Sequence, residues 1–362
     1  MQTGWNKKGI ALNASSEAHF IDHLAIIALI MDIPLFLFDE NCFLLAKKYY
    51  PGLQVYLKDD SVFSLEDLTQ EYDVLFTTEL LGKKGRSFFE TAALKHQKKW
   101  RSVFCPHGFS DKAFHFELCV LEDITLIYGD NMIDLLHERK VWDQIKNFVV
   151  TGNYRYTHFK YYQEFYEKIF QEEIQAHFDK KRPLILYAPT WLDQEASSTF
   201  FEATSFLLDQ LPEDYNIVVK LHPRLELDDV ASCYQIMGRY EKKKNVLFLT
   251  NFPLIFPILA NTDIYIGDMS SIGYDFLAFD KPLFFLNKQK RDHTTDRGLF
   301  LFRCGTEITP DQYGDLFKII EASLPNDREK FSVQRKEMWH YTFGDKRSFA
   351  DIKADVIQAC IV

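Results

Sequence analysis

The sequence predicts an α/β protein made of two Rossmann-like domains that face each other across a cleft, with additional helices at the C-terminal end. The chain has 362 residues, more than the roughly 250–300 at which a single hydrophobic core stops growing. Short apolar runs alternate with segments of helical periodicity, which predicts parallel sheets built from right-handed βαβ units. A charged, aromatic stretch at 161–181 interrupts this alternation, which then begins again.

Runs rich in β-branched and aromatic residues predict the strands. In the first half these are 9–12, 35–38, 55–56, 73–76, 102–105, 125–128 and 148–150. In the second half they are 184–188, 217–221, 246–249, 264–266 and 283–286. Helical periodicity predicts helices at 18–31, 42–50, 65–72 and 132–145, and after Pro310 at 311–323, 327–340 and 347–361.

These elements suggest four regions. Residues 1–155 are predicted to form an N-terminal Rossmann-like domain, and 156–182 a linker helix. Residues 183–325 are predicted to form a C-terminal Rossmann-like domain, and 326–362 the C-terminal helices. Because ligands of open α/β sheets bind outside the carboxyl ends of the strands, we expect functional side chains there.

Composition restricts the partners and the compartment. The formal net charge of −10 disfavours nucleic acid and adsorption to anionic lipid. The cysteines show neither CxxC spacing nor clustering, which predicts reduced, buried thiols; they are Cys42, Cys105, Cys119, Cys233, Cys304 and Cys360. We therefore expect a cytoplasmic protein with at most a peripheral contact at the inner face of the cell membrane.

The apolar stretch 20–38 has the length of a membrane span, but it contains Asp22, His23, Asp32 and Pro34. A charge in mid-membrane costs about 3 kcal/mol on insertion scales, and the proline divides the stretch. A buried helix followed by a strand is therefore predicted. The first eight residues lead into a strand, so we expect no cleavable signal peptide.

Two common nucleotide-binding motifs are missing from the sequence. No GxGxxG follows a first strand, which argues against a dinucleotide-dependent dehydrogenase. The run GKKG at 82–85 lacks the GK[ST] ending of a phosphate-binding loop. Hydride transfer and P-loop ATP hydrolysis are therefore disfavoured.

Polar residues instead follow several predicted strands in a particular order. They lie in FCPHG at 104–108, VTGNYR at 150–155, YAPTW at 187–191, LHPR at 221–224, and GDMSS at 267–271 with KPLFF at 281–285. In this order the chain resembles the CDP-glycerol glycerophosphotransferase family, whose members prime and polymerise teichoic acids and related capsule polymers. The resemblance covers roughly 102–287, with a weaker match in YTFGD at 341–345.

The resemblance implies a GT-B type transferase that moves glycerol phosphate from CDP-glycerol to an acceptor hydroxyl and releases CMP. The acceptor would be glycerol phosphate, a glycan or a lipid-linked molecule. Attack on the β-phosphorus is helped by a base, by neutralisation of the phosphates and by alignment. We expect no cofactor and no metal ion, because transferases of this type generally hold the nucleotide through protein groups.

The candidate base is His107, and Gly108 is a candidate substrate contact; a histidine that only satisfies a tight His-Gly turn is the structural alternative. His222 and Arg224 would bind the pyrophosphate, with His222 stabilising charge on the departing CMP. A polar strand end before a proline turn would give the same pattern. Arg155 is a candidate substrate-binding residue, or it only ties the linker to the cleft.

Ser270 and Ser271 begin a predicted helix, 272–279, so their hydroxyls and backbone N–H groups can hold phosphate, although a bare N-cap would look the same. Thr190 is a candidate phosphate or nucleotide contact, and Trp191 either packs or stacks on a base. Asp268 could hold His222, receive a hydroxyl proton or contact a ribose.

The chain also departs from the family. After His-Gly the family continues with a Thr-Pro-Leu-Lys-like run, whereas this chain has FSDK at 109–112. The long extensions and basic amphipathic segments of the family's polymerases are missing. Two alternatives therefore stay open: a GT-B glycosyltransferase that uses a CMP- or UDP-linked sugar for surface polysaccharide, and a non-catalytic GT-B-like assembly partner.

Three further histidines have weaker signals. His19 and His23 share a helix face but lack the glutamate of a metalloprotease helix, so structural or surface roles are predicted. His293 lies in a polar loop after the last predicted strand, from which it could approach a substrate.

Overall fold

The computed structural model of the chain describes residues 7–59, 61, 63–112, 116–193 and 195–361. The chain folds into two compact units. The first contains Met1–Phe109, Ala113–His158 and Tyr341–Val362, and the second contains Ser110–Lys112 and Phe159–His340. Each unit therefore receives a segment that is distant in sequence from its main part.

A seven-stranded parallel sheet forms the centre of the first unit, in the order β3-β2-β1-β4-β5-β6-β7. Its strands are β1 Gly9–Asn13, β2 Leu35–Leu37, β3 Val55–Leu57, β4 Val74–Thr77, β5 Arg101–Phe104, β6 Ile124–Ile127 and β7 Phe148–Val150. Strands β1, β4 and β6 are buried along their whole length. Parallel strands covered on both faces read as continuous apolar runs, which is why the sequence reveals them.

The helices of the first half alternate with these strands. They are α1 Ile21–Met31, α2 Glu40–Tyr49, α3 Leu65–Glu71, α4 Gly82–Lys95, α5 Asp130–Glu138 and α6 Tyr154–Tyr161. Helix α1 is buried over most of its length and ends where Asp32 adopts the left-handed conformation, with φ 57°. Within the described residues, no helix is long and apolar enough to cross a membrane.

A second parallel sheet, of six strands, forms the centre of the second unit, in the order β10-β9-β8-β11-β12-β13. Its strands are β8 Leu184–Ala188, β9 Asn216–Lys220, β10 Val246–Leu249, β11 Ile264–Gly267, β12 Leu283–Leu286 and β13 Thr306–Ile308. The remaining α-helices are α7 Gln163–Glu173, α8 Phe200–Gln210, α9 Pro223–Asp228, α10 Val230–Tyr240, α11 Phe256–Asn261, α12 Ile272–Phe276, α13 Leu316–Ser323, α14 Asp327–Phe343 and α15 Phe349–Ile361.

Several local predictions differ from the structure. The helix predicted at 311–323 begins as a 3-10 helix, Pro310–Asp315, and only Leu316–Ser323 is α-helical. A single helix at 132–145 was wrong: α5 ends at Glu138, Lys140 has φ 58°, and only a 3-10 turn, Trp142–Gln144, follows. The left-handed backbone at Lys140 cannot continue a right-handed helix. Strand β13 was not predicted, because its sequence TEI is short and half polar.

Candidate functional site

The predicted donor-binding residues follow three neighbouring strands of the second unit. Strand β8 pairs with β9 through Tyr187 and Val219, and with β11 through Ala188 and Gly267. The carboxyl ends of the three strands therefore lie side by side. We call the polar residues that follow them the strand-end cluster; its members are Thr190, Trp191, His222, Arg224, Asp268, Ser270 and Ser271.

His222 caps the N-terminus of α9, with Pro223 in the first turn. Its Nδ1 atom accepts a hydrogen bond of 3.2 Å from the backbone N–H of Arg224. An accepting Nδ1 leaves the proton of the neutral ring on Nε2. The imidazole can therefore donate a hydrogen bond from Nε2 to an anionic oxygen.

The side chain of Arg224 is exposed and lies over an aromatic ring. Its guanidinium carbon is 4.8 Å from the centre of the Trp191 ring, whose centre is 6.4 Å from that of the His222 imidazole. A guanidinium stacked on an indole is attracted to the face of the ring, which holds the side chain in place. The sequence left Trp191 between packing and stacking, and its stacking partner in the structure is a protein cation.

Asp268 is 1% exposed and its carboxylate holds protein groups. Oδ1 accepts from the backbone N–H of Thr190 at 2.9 Å. Oδ2 accepts from the backbone N–H and the hydroxyl of Thr199, both at 2.9 Å. Burial raises the pKa of Asp268 to about 6, against the opposing effects of Lys112 and these hydrogen bonds. All three of these hydrogen bonds come from the loop between Thr190 and Thr199, so this arrangement favours a positioning role.

Ser270 and Ser271 precede α12, as expected. In the described part of the chain, the hydroxyl of Ser271 makes no capping hydrogen bond to the helix, so capping does not account for this serine. Helix α12 itself has five residues and continues as a 3-10 turn, Leu277–Phe279. A phosphate would therefore be held by the hydroxyls and first-turn N–H groups more than by a long helix dipole.

Thr190 is 3% exposed and is bonded within the unit. Its hydroxyl accepts a hydrogen bond of 2.8 Å from the ammonium of Lys112, which also donates to Asp193 at 2.7 Å. The sequence did not indicate Lys112, because nothing local shows that a lysine after His-Gly is buried. The hydroxyl of Thr190 therefore already has a partner within the protein. Its contact with a substrate stays a prediction.

In the first unit, His107 follows β5 and its side chain is exposed. The turn around it is fixed by Tyr128, whose hydroxyl donates to the carbonyl of Pro106 at 2.7 Å and accepts from the N–H of Gly108 at 3.1 Å. Gly108 has φ 109°, a conformation that side chains rarely adopt. The glycine therefore serves the turn, while the imidazole of His107 faces outward.

Two aromatic rings from the segment after β1 lie close to His107. The ring of His19 is 5.7 Å from that of His107, and the ring of Phe20 is 4.7 Å away. His23, in α1, is buried; burial first, and then the charges of Arg155 and of the two other histidines, lower its pKa well below the usual value. His23 is therefore neutral at pH 7, whereas His19 lies beside the candidate base.

Arg155 is 4% exposed. Its guanidinium donates to Asp22 of α1 at 2.8 Å, and the phenol of Tyr50 donates to the other oxygen of this carboxylate at 2.7 Å. This buried ion pair favours the structural alternative for Arg155. The substrate contact predicted for it remains a prediction.

Other titratable groups have protein partners of their own. His293 lies 2.7 Å from Glu307, at half-buried positions. Among the residues that the structure describes, no group of three or more His, Cys, Asp or Glu side chains could hold a metal ion.

The model of the CDP-Glycerol:Poly(glycerophosphate) glycerophosphotransferase family matches residues 139–352, more than half of the 362 residues. The chain belongs to this family. The matched range contains the whole strand-end cluster and does not include His107 or Lys112.

Curated relatives of this glycerophosphotransferase family member are similar over part of their length. The teichoic acid glycerol-phosphate primase of Bacillus subtilis is 33% identical over 121 residues, 33% of this chain and 29% of that protein. The primase of Bacillus spizizenii is 28% identical over 164 residues, 42% of this chain and 39% of that protein. The matches thus span well under half of these relatives.

Solved structures show the fold. The wall teichoic acid polymerase TagF has a TM-score of 0.66 at 12% identity, over 98% of this chain and 88% of the polymerase chain. Anabaena HepE, solved with UDP-glucose, has a TM-score of 0.55 at 14% identity, over 97% of this chain and 98% of HepE. At such low identity the likeness shows the fold alone, which is of the GT-B type with two parallel-sheet α/β units.

Proposed function

We propose that this protein transfers glycerol phosphate from CDP-glycerol to an acceptor hydroxyl and releases CMP, in the synthesis of a teichoic-acid-like or capsule polymer. The observation that carries the proposal is the strand-end cluster, which lies inside the range matched by the family model. It combines a guanidinium, an imidazole and two hydroxyls at the ends of adjacent strands. Such groups bind phosphate through charge-assisted and neutral hydrogen bonds.

The second unit is assigned to the donor. Arg224 neutralises the pyrophosphate, and the hydroxyl of Ser271 donates a hydrogen bond to a phosphate oxygen. His222 donates from Nε2 to the oxygen that leaves with CMP, since its Nδ1 already accepts from the backbone. Stabilising the charge that develops on the leaving group lowers the barrier for the transfer.

The first unit is assigned to the acceptor. His107 takes the proton of the acceptor hydroxyl while the acceptor oxygen bonds to the β-phosphorus. The bond between this phosphorus and the bridging oxygen breaks, and CMP leaves with that oxygen. The exposed imidazole of His107, held on a turn fixed by Tyr128, supports the assignment. Its acceptor is a glycerol-phosphate, glycan or lipid-linked hydroxyl.

We place the reaction in the cytoplasm, with at most peripheral contact at the inner face of the membrane. The cysteines support a reducing compartment, because all six are free and buried. Burial raises the pKa of Cys105 and of Cys42, so these thiols are poorly ionised at neutral pH and react slowly with oxidants.

The second candidate is a glycosyltransferase that uses a UDP- or CMP-linked sugar. The likeness to HepE, a protein solved with UDP-glucose, favours it, because the same strand-end groups would bind any nucleotide diphosphate. The third candidate is a non-catalytic assembly partner with the same fold, which would bind no donor.

Thermal unfolding with a panel of nucleotides separates these candidates. A ligand that binds only the folded protein at a hundredfold excess over its dissociation constant stabilises it by about 2.7 kcal/mol. CMP and CDP-glycerol are expected to raise the melting temperature, and UDP-glucose is not. Stabilisation by UDP-glucose alone would support the glycosyltransferase, and no stabilisation by any nucleotide would support the assembly partner.

A further inference from the structure

Lys112 is a buried lysine of the second unit that the proposed chemistry leaves without a task. It is 5% exposed, and its ammonium donates to the hydroxyl of Thr190 at 2.8 Å and to the carboxylate of Asp193 at 2.7 Å. A buried ammonium is costly unless hydrogen bonds and an opposite charge compensate it. Its position therefore depends on the loop that Thr190 and Asp193 belong to.

The loop runs from 190 to 199, and its described residues, 190–193 and 195–199, are attached to the unit at both ends. At one end Thr190 donates its N–H to Asp268, and its carbonyl accepts from the hydroxyl of Ser198 at 2.8 Å. At the other end Thr199 donates both its N–H and its hydroxyl to Asp268. The carboxylate of Asp268 thus holds both ends of the loop together.

The middle of the loop is held by Asp193. Its Oδ1 accepts from the N–H groups of Glu195 and Ser197, both at 3.0 Å. Its Oδ2 accepts from Lys112 and from the hydroxyl of Ser197. The described residues of the loop are thus held by two carboxylates, those of Asp193 and Asp268. Lys112 binds Asp193 directly and interacts electrostatically with Asp268.

We propose that Lys112 is a positioning residue of the donor site: it holds the loop 190–199 so that Trp191 stays under the guanidinium of Arg224. The inference rests on the proposed function only for the identity of the donor. Trp191 is adjacent to Thr190 in the chain, and its ring contacts Arg224 at 4.8 Å. Loss of the lysine frees the Thr190 hydroxyl and the loop, so Arg224 loses its aromatic support.

Lys112 also acts on the charge of Asp268. Burial raises the pKa of Asp268, and Lys112 is the foremost influence that lowers it. Three phenols among the described residues also interact with this carboxylate and are uncharged at neutral pH; they are Tyr187, Tyr265 and Tyr313. Removing Lys112 therefore raises the pKa of Asp268 further. A protonated Asp268 accepts fewer of its three hydrogen bonds, which loosens the loop.

The test compares Lys112→Met with wild type and with Lys318→Met, a matched control at an exposed lysine that pairs with Asp315. The KM for CDP-glycerol in Lys112→Met should rise about tenfold, the equivalent of one lost charge-assisted contact, while kcat changes little. Its kcat/KM should increase with pH across the neutral range as Asp268 ionises. Lys318→Met should behave as wild type.

Hydrogen exchange of peptides that span 189–199 gives a readout that does not depend on the donor. Exchange should be faster in Lys112→Met, because the N–H groups of Thr190 and Thr199 lose their fixed acceptor. Asp193→Asn, which keeps the side-chain shape, should show the same effect if Lys112→Met does not fold.

Unchanged exchange in these peptides, or a fall in kcat with an unchanged KM, overturns the positioning role. If wild type neither binds nor uses CDP-glycerol, the proposed function fails, and the exchange rates still decide the role of Lys112.

Discussion

His107 and Arg224 belong to different units and have different tasks in the proposed reaction. His107→Ala removes the base that takes the acceptor proton, so single-turnover transfer should fall by about 10²–10⁴-fold, the range for a lost general base. The affinity for CMP, measured by calorimetric titration, should stay at the wild-type value. A loss of CMP affinity in this variant would remove His107 from the acceptor role.

Arg224 and Ser271 provide the matched pair on the donor side. Arg224→Ala should weaken CMP binding more than Ser271→Ala, because a charge-assisted contact is roughly twice as strong as a neutral one and because the Trp191 ring loses its cation. Calorimetry on both variants measures the difference. Equal affinities in Arg224→Ala and wild type would contradict the assigned division of labour.

The buried carboxylate of Asp268 predicts a pH effect on stability. Its pKa is about 6 in the folded protein, against 3.8 for an ordinary aspartate. The folded state therefore binds the proton more tightly, and this contribution to stability, about 3 kcal/mol, is complete below pH 4 and is lost as pH rises to about 6. Denaturant unfolding of wild type and Asp268→Asn should show this slope in wild type alone. If the stabilities of wild type and Asp268→Asn change with pH in the same way, the pKa of Asp268 is not raised in the folded protein.

Sequence reasoning could locate candidate residues that follow strands, but it could not locate buried polar contacts between distant segments. His107, His222, Arg224 and the two serines stand at strand ends, which an apolar run followed by polar residues reveals. The burial of Lys112 depends on Asp193 and Thr190, which lie 81 and 78 residues away along the chain. No local pattern encodes such a pairing, and the contact of His19 with His107 was missed for the same reason.

At the scale of elements, the return of the chain to the first unit depends on a close backbone approach. A Cβ atom on Gly129 would lie 2.6 Å from the carbonyl oxygen of Thr342, and Asn131 binds the hydroxyl of this threonine at 2.9 Å. Gly129→Ala should reduce the free energy of unfolding by about 1–3 kcal/mol, as overpacking does. Urea denaturation measures this loss.

Gly238 provides the control for that experiment. It lies inside α10 and has nothing within 4 Å of its Cβ position, so Gly238→Ala should stabilise the protein by about 0.5–1 kcal/mol through helix propensity. If Gly129→Ala stabilises the protein as Gly238→Ala does, the approach of Gly129 to Thr342 is not a constraint on the fold.

The strand pattern was predictable because the inner strands of both sheets, such as β1, β4, β8, β9 and β11, are buried along their whole length and therefore read as continuous apolar runs. Twelve of the thirteen strands formed by the described residues match a predicted run, and β13 was missed because Thr306 and Glu307 interrupt its apolar character. The break in the chain after α5 was missed because the residue with left-handed backbone there is Lys140, and a lysine does not signal a turn as glycine or asparagine does. Boundaries thus depend on backbone conformations that side-chain patterns do not specify.

At the scale of the whole molecule, the sequence predicted two parallel-sheet units and the family, but not how distant segments are shared. The segment Tyr341–Val362 belongs to the first unit and Ser110–Lys112 to the second. Local periodicity shows that a helix is amphipathic, but it does not show which sheet the helix covers. Thr342, in the weakly matching run at 341–345, contacts the main part of the first unit directly, because its hydroxyl accepts a hydrogen bond from Asn131.

The central claim is that the protein transfers glycerol phosphate from a cytidine-activated donor. The most direct measurement is CMP release from CDP-glycerol in the presence of glycerol-phosphate, glycan and lipid-linked acceptors, with His107→Ala as the control and UDP-glucose as the rival donor. The account predicts acceptor-dependent release of CMP by wild type, little release by His107→Ala and no UDP release. Transfer from UDP-glucose with no CMP released from CDP-glycerol would contradict it.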